Sequence, residues 1–313
     1  MVTVAIPTRG RPALLRRALD SVLAQTYRNF EIVVAVDGPD PETEGLLRAE
    51  PDPRLRFHVS ATQLGGGAAR NAAASLGVGR WVAFLDDDDV WLPKKLERQL
   101  ARAATWRVET VSFTRMIARA PHGDYLWPRR APRPGEHISD YLFVRRSLFA
   151  GEGGIQTSTI VTSRDLLLAH PFDESLRKLQ DTDWQLRAWS AGARLDFCPE
   201  PLTIWHIEEA RASITAAHAA NWELLLDWIG ERQHLVTPRA YAAFVLVRGG
   251  AAASPGGLSA ARRILRAAFM NGKPGLTEVV LFFAKWLAPA SLRAALRSRF
   301  SPARVRRTER DRR

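Results

Sequence analysis

Two hydrophobic patterns alternate along the first hundred residues. Short, largely β-branched apolar runs recur at Val2 to Ile6, at FEIVVAV (30 to 36), at LRFHVS (55 to 60) and at WVAFL (81 to 85). Runs this short and this continuous suit strands covered on both faces. Between them the period changes. Leu14, Leu15, Ala18, Leu19, Val22 and Leu23 recur at helical spacing behind Pro12, which predicts a helix over 12 to 25 with one apolar face. Further helices are expected at 41 to 50, from Gly65 to Leu76, and from Pro93 through Ala104. Strands alternating with helices predict an α/β fold with a mainly parallel sheet and right-handed crossovers. Ligands of such sheets sit outside the carboxyl ends of the strands. That rule gathers the Pro7-Thr8-Arg9 turn, Asp37-Gly38 and the run Asp86 to Asp89 on one rim.

Farther along, RAPHGDYLWPRRAPRPGE (119 to 136) reads as a long irregular loop, STIVTS (158 to 163) as a strand, and DTDWQLRAWSAG (181 to 192) as a helix closed by Gly192. After about 216 strand signals fade, and helical patterns such as NWELLLDWIGERQ take over, with AASPGG (252 to 257) as a hinge. The expected organisation is a catalytic-type domain over 1–215 and a helical region with a basic tail over 216–313.

Composition sharpens this picture in three places. Hydrophobic residues at 46% and charged residues at 25% are ordinary for a folded chain, which excludes general disorder. The single cysteine, Cys198, excludes an internal disulfide framework and fits a reducing compartment. The formal net charge of +12 is concentrated: nine arginines against Glu309 and Asp311 lie between Arg293 and Arg313. The start MVTVAIPTRG carries no secretory pattern. The most apolar stretch, LTEVVLFFAKWLA (276 to 288), contains Glu278 and Lys285 and is too short to cross a bilayer. The expected location is cytoplasmic, either free or peripheral on the inner face of the cell membrane.

The chemistry is carried by acids. Four adjacent carboxylates at a strand end repel one another and stay ionised only beside a compensating cation. Hard divalent ions with oxygen ligands, Mn²⁺ or Mg²⁺, are the natural compensation. Side chains alternate along an extended segment, so Asp86 and Asp88 should face one way and Asp87 and Asp89 the other. Taken alone, such a run is equally an acidic turn capping the next helix. QLGGGAARNAA (63 to 73) enters a helix through glycines, with Arg70 in its first turns, and is either a phosphate-binding start or a simple turn. Asp37-Gly38 could likewise be only a strand-ending turn. Thr182 and Gln185 have capping-box spacing, which puts Asp181 at the mouth of its helix.

In this order, VTVAIPTRGRPALLRRALDSVLAQTYRNFEIVVAVDG, GGGAARNAA and FLDDDDVWLPKKLE resemble the inverting family 2 glycosyltransferases over roughly residues 1 to 210. The resemblance implies the Rossmann-like GT-A fold, a nucleotide-sugar donor, and Mn²⁺ or Mg²⁺ held by an Asp-x-Asp element. It implies that Pro7, Thr8, Arg9 and Asp37 contact the base and ribose, and that Arg70 assists on the nucleotide. Asp86 would approach the ribose with Asp87 beside it, Asp88 would coordinate the metal, and Asp181 would be the catalytic base. His206, in IWHIEEARASIT, would be a late metal ligand, with a merely structural histidine as the alternative. The chain departs from the family pattern at Val36 and Pro39, and at Gln180 where relatives carry glutamate.

The implied activity moves a sugar from a nucleoside-diphosphate sugar, a UDP-sugar foremost, to the hydroxyl of a saccharide or lipid-linked acceptor in cell-surface polysaccharide or glycolipid assembly. A sugar nucleotidyltransferase and a noncatalytic nucleotide-sugar or nucleic-acid binding module are the competing readings. Nucleic acid is not expected, because the acidic rim repels phosphates. Leu276, Val279, Val280, Phe283, Trp286 and Leu287 fall on one helical face followed by basic residues. Such a helix either lies on an anionic membrane surface or docks on the catalytic domain.

Overall fold

Val2–Thr8 (β1) and Phe30–Val36 (β2) contain one ionisable side chain between them, Glu31, and in the computed structural model every position of both strands is buried. The structure describes residues 1–120, 123–148, 152–207, 221–253, 257–287 and 304–305. Burial on both faces requires helices above and below the sheet, and the intervening sequence supplies them. Pro12–Leu23 (α1) buries Leu15, Ala18, Leu19 and Val22. Pro41–Ala49 (α2) leads to Leu55–Val59 (β3), and Gly66–Leu76 (α3) leads to Trp81–Phe84 (β4). β1 pairs in parallel with both β2 and β4, and β2 in parallel with β3. β3 alternates between half-buried and exposed positions, as an edge strand does.

Beyond β4 the sheet becomes mixed. Val90–Trp91 (β5), Lys95–Leu100 (α4), Thr110–Ala120 (β6), Gly123–Trp127 (β7), Ile138–Phe143 (α5), Val161–Ser163 (β8), Arg164–Ala169 (α6), Gln180–Ser190 (α7) and Arg194–His206 (β9) follow. β8 runs antiparallel between β4 and β6, giving the order β7-β6-β8-β4-β1-β2-β3. β9 pairs in parallel with β6 and antiparallel with β5. The α/β sheet flanked by helices is therefore as expected, with its antiparallel strands in the later half.

Several local expectations are corrected. The proline- and arginine-rich segment from 119 is not wholly irregular, because β6 extends to Ala120 and β7 occupies Gly123–Trp127. Met116 and Ala118 are buried while Arg115, Ile117 and Arg119 are half-exposed. That period-two pattern is a strand written in arginines. The helix expected from Pro93 to Ala104 is interrupted: α4 ends at Leu100 and a short 3₁₀ turn covers Ala103–Thr105. The strand expected from 158 begins only at Val161, after a 3₁₀ turn at Thr157–Thr159. The capping box at Thr182 is not formed. α7 starts one turn earlier from Leu179, whose φ is 58°, and Gln185 instead donates to the Ile155 carbonyl.

The chain divides into two compact units. The first holds the sheet just described, and the second combines residues of Trp127–Gly154 with the later helices. In the second unit, Trp222–Glu231 (α8), Pro238–Phe244 (α9), Gly250–Ala253 (α10), Gly257–Asn271 (α11) and Leu276–Leu287 (α12) follow one another. Phe244 is its aromatic centre, 5.0 Å from Phe143 and 5.2 Å from Trp228. The fully buried Glu278 accepts from the Arg145 backbone at 2.8 Å and pairs with Arg239 at 2.8 Å. Residues 254–256 of the expected hinge, Glu208 and Glu209, and the arginine tail except Arg304 and Val305 lie outside the described residues.

Candidate functional site

The carboxyl ends of β1, β2 and β4 meet at one rim because all three strands run parallel. Thr8 ends β1, Asp37 follows β2, and Asp86 to Asp89 follow β4. The last group is a turn rather than a strand, yet the expected alternation survives: Asp87 and Asp89 are fully buried, and Asp86 and Asp88 are half-exposed.

Each buried aspartate has a dedicated cradle. The Thr8 hydroxyl donates to Asp87 Oδ2 at 2.7 Å, and the Arg11 guanidinium lies 2.6 Å from Asp87 Oδ1. Burial pushes the Asp87 carboxyl up to about 6, opposed by Arg11 and Thr8 and reinforced by Asp88 and Asp86. Asp89 accepts from Ser158 Oγ at 2.6 Å and Gln156 Nε2 at 2.7 Å. Burial, then the fields of Asp86 and Asp88, raise its carboxyl well above the usual range. Ser158 also accepts from the Asp86 backbone at 3.0 Å, so the 3₁₀ turn before β8 shapes the acidic turn. Neither Arg11, Gln156 nor Ser158 carries a motif of its own. Only the position of Arg11, one residue before a helix-opening proline at the end of β1, hinted at a rim residue.

The half-exposed acids face cations. Arg70 Nη2 lies 2.5 Å from Asp86 Oδ1, and its Nη1 donates to Gln180 Oε1 at 3.3 Å. Burial alone would lower the Arg70 pKa, but the negative fields of Asp86, Asp181 and Asp87 override it and hold the guanidinium charged. Arg70 thus couples the acidic turn to the start of α7, where Asp181 stands half-exposed. Asp183, two residues on, is buried and bound to Arg187 Nε at 2.7 Å. The two acids of that first turn therefore differ: Asp183 is buried in an ion pair with Arg187, while Asp181, which accepts from the Thr182 N–H at 2.8 Å, stays half-exposed within the field of Arg70.

Glycines permit this approach. Gly65 has φ of 102°, which opens the turn into α3, and a Cβ on Gly66 would come within 3.1 Å of Arg70 Nη1 and 3.3 Å of Gln180 Oε1. Asp37 is buried and accepts from the Leu64 and Gly65 backbone at 2.7 and 3.0 Å, tying β2 to that turn. Pro7 is buried in β1 and Arg9 stands exposed just past it. Gly10 donates to Asp40, which also caps α2, so the β1 loop is anchored from below.

His206 is half-buried at the end of β9, opposite Arg119 of β6. β9 pairs antiparallel with β5 through Val90↔Ile204 and Trp91↔Thr203, so His206 lies two residues past the last β9 residue of that pairing and Asp88 two residues before β5. Among the described residues no three His, Cys, Asp or Glu side chains converge as a complete metal cage. A hard cation held by one or two carboxylates and completed by substrate phosphates needs no such cage. The half-exposed oxygens of Asp86 and Asp88, already neighboured by guanidinium groups, fit that kind of ion.

Similarity to known proteins identifies the fold and the family. Residues 3–167 match the family model described as glycosyl transferase family 2. The amylovoran biosynthesis glycosyltransferase AmsB of Erwinia amylovora is 28% identical over 247 residues, 76% of this chain and 79% of that protein. The putative colanic acid biosynthesis glycosyl transferase WcaA of Escherichia coli is 30% identical over 222 residues, 69% of this chain and 76% of that protein. Among solved structures, a mannosyltransferase from Pyrobaculum calidifontis in complex with GDP-Man and Mn²⁺ is similar with a TM-score of 0.58 at 18% identity, covering 95% of this chain and 80% of that one. TarS 1–349 of S. aureus in complex with UDP gives 0.52 at 16% identity, covering 94% and 91%. At these identities the structures speak for the fold, and the sequence match speaks for the family: the chain is a glycosyltransferase and belongs to glycosyl transferase family 2.

Proposed function

We propose that this glycosyltransferase is metal-dependent and inverting, and transfers a sugar from a nucleoside-diphosphate sugar, a UDP-sugar, to an acceptor hydroxyl in the assembly of cell-surface polysaccharide or glycolipid. The observation that carries the reading is Arg70, which sits in the combined field of Asp86, Asp87 and Asp181. One largely covered guanidinium thereby links the strand-end carboxylates of a donor site to an accessible carboxylate suited to act as base. The relatives named for amylovoran and colanic acid biosynthesis support the polysaccharide assignment. TarS solved with UDP, and with UDP-GlcNAc, supports the donor class.

In this reading Thr8, Arg9 and Asp37, with Pro7 shaping the turn, border the nucleotide. Asp86 and Arg70 border the ribose and diphosphate, and Asp87 braces the turn from beneath. Asp88, with His206, would hold Mn²⁺ or Mg²⁺, which when bound would supply positive charge against the nucleoside diphosphate. Asp181 takes the proton from the acceptor hydroxyl, whose oxygen attacks the anomeric carbon on the face opposite the leaving group. That single displacement inverts the anomeric centre and needs no covalent enzyme intermediate.

The second unit supports a peripheral site of action at the inner face of the cell membrane. α12 keeps Leu276, Val280 and Phe283 exposed at 80%, 45% and 42%, a stripe at helical spacing, and the arginine-rich tail follows. Trp286, expected on the same face, instead donates its indole N–H to the Gly250 carbonyl. The helix both packs within its unit and retains an apolar stripe. No helix among the described residues is long and apolar enough to cross a membrane.

The test is a thermal-shift panel of UDP-, GDP-, CMP- and dTDP-sugars with and without Mn²⁺, repeated on Asp88→Ala. A Mn²⁺-dependent shift with UDP-sugars that Asp88→Ala abolishes is expected. A shift with another nucleotide reassigns the donor, and a shift indifferent to Mn²⁺ and to Asp88 removes the metal from the mechanism. Release of nucleoside diphosphate on turnover, rather than pyrophosphate, separates sugar transfer from nucleotidyl transfer.

A further inference from the structure

Arg11 has no part in the roles assigned above, yet its guanidinium reaches two carboxylates of the acidic turn, Asp87 and Asp88. Its Nη2 lies 2.6 Å from Asp87 Oδ1 and its Nε 3.2 Å from Asp87 Oδ2. The remaining arm, Nη1, lies 3.2 Å from Asp88 Oδ2. The two carboxylates differ in accessibility. Asp87 is fully buried and pinned by Thr8, whereas the Asp88 side chain is 33% exposed and that of Arg11 40%. Arg17 Nη2 holds the Asp88 backbone carbonyl at 2.8 Å, so the turn keeps its shape whatever the Asp88 side chain does. One edge of the guanidinium is thus fixed to a buried anion, and the other rests on an accessible one.

A guanidinium keeps its charge throughout the working pH range, so it leaves a carboxylate only by moving to another anion. The planar fork of arginine suits carboxylate and phosphate alike. We infer that Arg11 is the built-in counter-cation of the donor site. It holds Asp88 while the site is empty of nucleotide sugar, and it yields Asp88 to the divalent cation when a diphosphate arrives to take up the freed guanidinium arm. This rests on the proposal that Asp88 is the metal ligand. The consequence is interdependence: two cations compete for one carboxylate oxygen, so metal binds weakly to the donor-free enzyme and more tightly with donor. By linkage the donor gains the same factor from the metal. Asp87 acts as the tether, keeping the guanidinium at the site through the exchange.

The experiment is a Mn²⁺ titration of the full chain, read from the electron paramagnetic resonance signal of free Mn²⁺, with and without UDP. Wild type, Arg11→Gln and Arg11→Lys are compared, with circular dichroism as the control for folding. Arg11→Gln is expected to tighten Mn²⁺ binding in the absence of UDP on the order of tenfold, within the usual span of site-to-site coupling, and to shrink the gain that UDP confers. Arg11→Lys, which keeps the charge, should retain the weak donor-free binding. Donor-free affinity unchanged or weakened in Arg11→Gln, with Mn²⁺ still bound by wild type, overturns the counter-cation role and leaves the metal reading intact. Absence of Mn²⁺ binding in every variant, with UDP present, removes the metal reading and this inference together. Should Arg11→Gln fail to fold, the pair Arg11→Gln/Asp87→Asn removes the buried charge along with its partner, and the same tightening is expected of it.

Discussion

Asp181 and Asp183 sit two residues apart in the first turn of one helix, and their surroundings divide the work between them. Asp183 is buried against Arg187, while Asp181 is accessible and within the field of Arg70. Asp181→Asn should preserve donor binding and lower turnover by about 10²–10⁴-fold, the span of a positioned general base, measured as kcat beside donor Kd. Asp183→Asn should instead lower the melting temperature and leave the surviving folded fraction active. Equal turnover in Asp181→Asn and wild type would take the base role away from Asp181.

Lys95 presents the opposite situation. It is fully buried over the Trp91 ring, 4.0 Å from its centroid, and its Nζ makes no hydrogen bond among the described residues. Burial drives its pKa well below 10.5, and a buried amino group without a hydrogen-bond partner costs the fold free energy. Lys95→Met should stabilise the protein by about 1–3 kcal/mol in denaturant unfolding. Between the depressed folded pKa and 10.5 the unfolded chain binds the extra proton, so wild-type stability climbs with pH and the advantage of Lys95→Met shrinks.

At the scale of elements, a buried acid joins three strands and a turn. Glu31 in β2 accepts from Thr3 of β1 at 2.7 Å, from the Val78 backbone at 2.6 Å, and from Arg56 of β3. Its burial pushes the carboxyl up, but the bonds from Thr3, Val78 and Arg56 prevail and hold it below its ordinary value of 4.5. Glu31→Ala should cost about 1–3 kcal/mol, since it removes the acceptor shared by the Val78 N–H and the buried Gly79 N–H together with the partner of Thr3. A depressed carboxylate contributes stability above its unfolded pKa, and that contribution disappears as pH falls through the folded value. The destabilisation by Glu31→Ala should therefore be full at neutral pH and fade in acid, as seen by urea unfolding across pH. The same junction explains two glycines: a Cβ on Gly77 or Gly79 would meet Thr3 at 2.4 Å.

At the scale of the molecule, the second unit is where 127–154 finds its partners. The Thr237 backbone donates to Ser139 Oγ at 3.1 Å, and Phe143 packs on Phe244, joining a segment from the middle of the chain to helices a hundred residues later. The exposed stripe of α12 can be changed without disturbing that packing, because Phe282 and Glu278 face inward and Leu276, Val280 and Phe283 outward. Leu276→Asp/Val280→Asp/Phe283→Asp should abolish sedimentation with liposomes containing anionic lipid while leaving the melting temperature within a few degrees. Undiminished sedimentation of that variant would rule out the stripe as the membrane contact.

Hydrophobic periodicity by itself determined the parallel half of the sheet, because fully buried strands and one-faced helices leave different spacings in the chain: β2 runs over the seven residues of FEIVVAV. The order of glycine turn, aspartate run and helix-start acid was likewise legible, since each is a local pattern tied to a strand or helix end. β6 was hidden because arginine alternates with its buried residues, and the start of α7 because Leu179 adopts a left-handed conformation that no leucine announces. Only the tertiary structure decided which of four adjacent aspartates are buried and which guanidinium faces each. It also decided that Gln156 and Ser158 shape the turn and that Asp181 rather than Asp183 stays accessible. Those outcomes depend on groups brought together across as many as 110 positions of sequence, as Arg70 and Gln180 are. Burial and charge pairing are set by such neighbours in space, and a linear pattern records only neighbours along the chain.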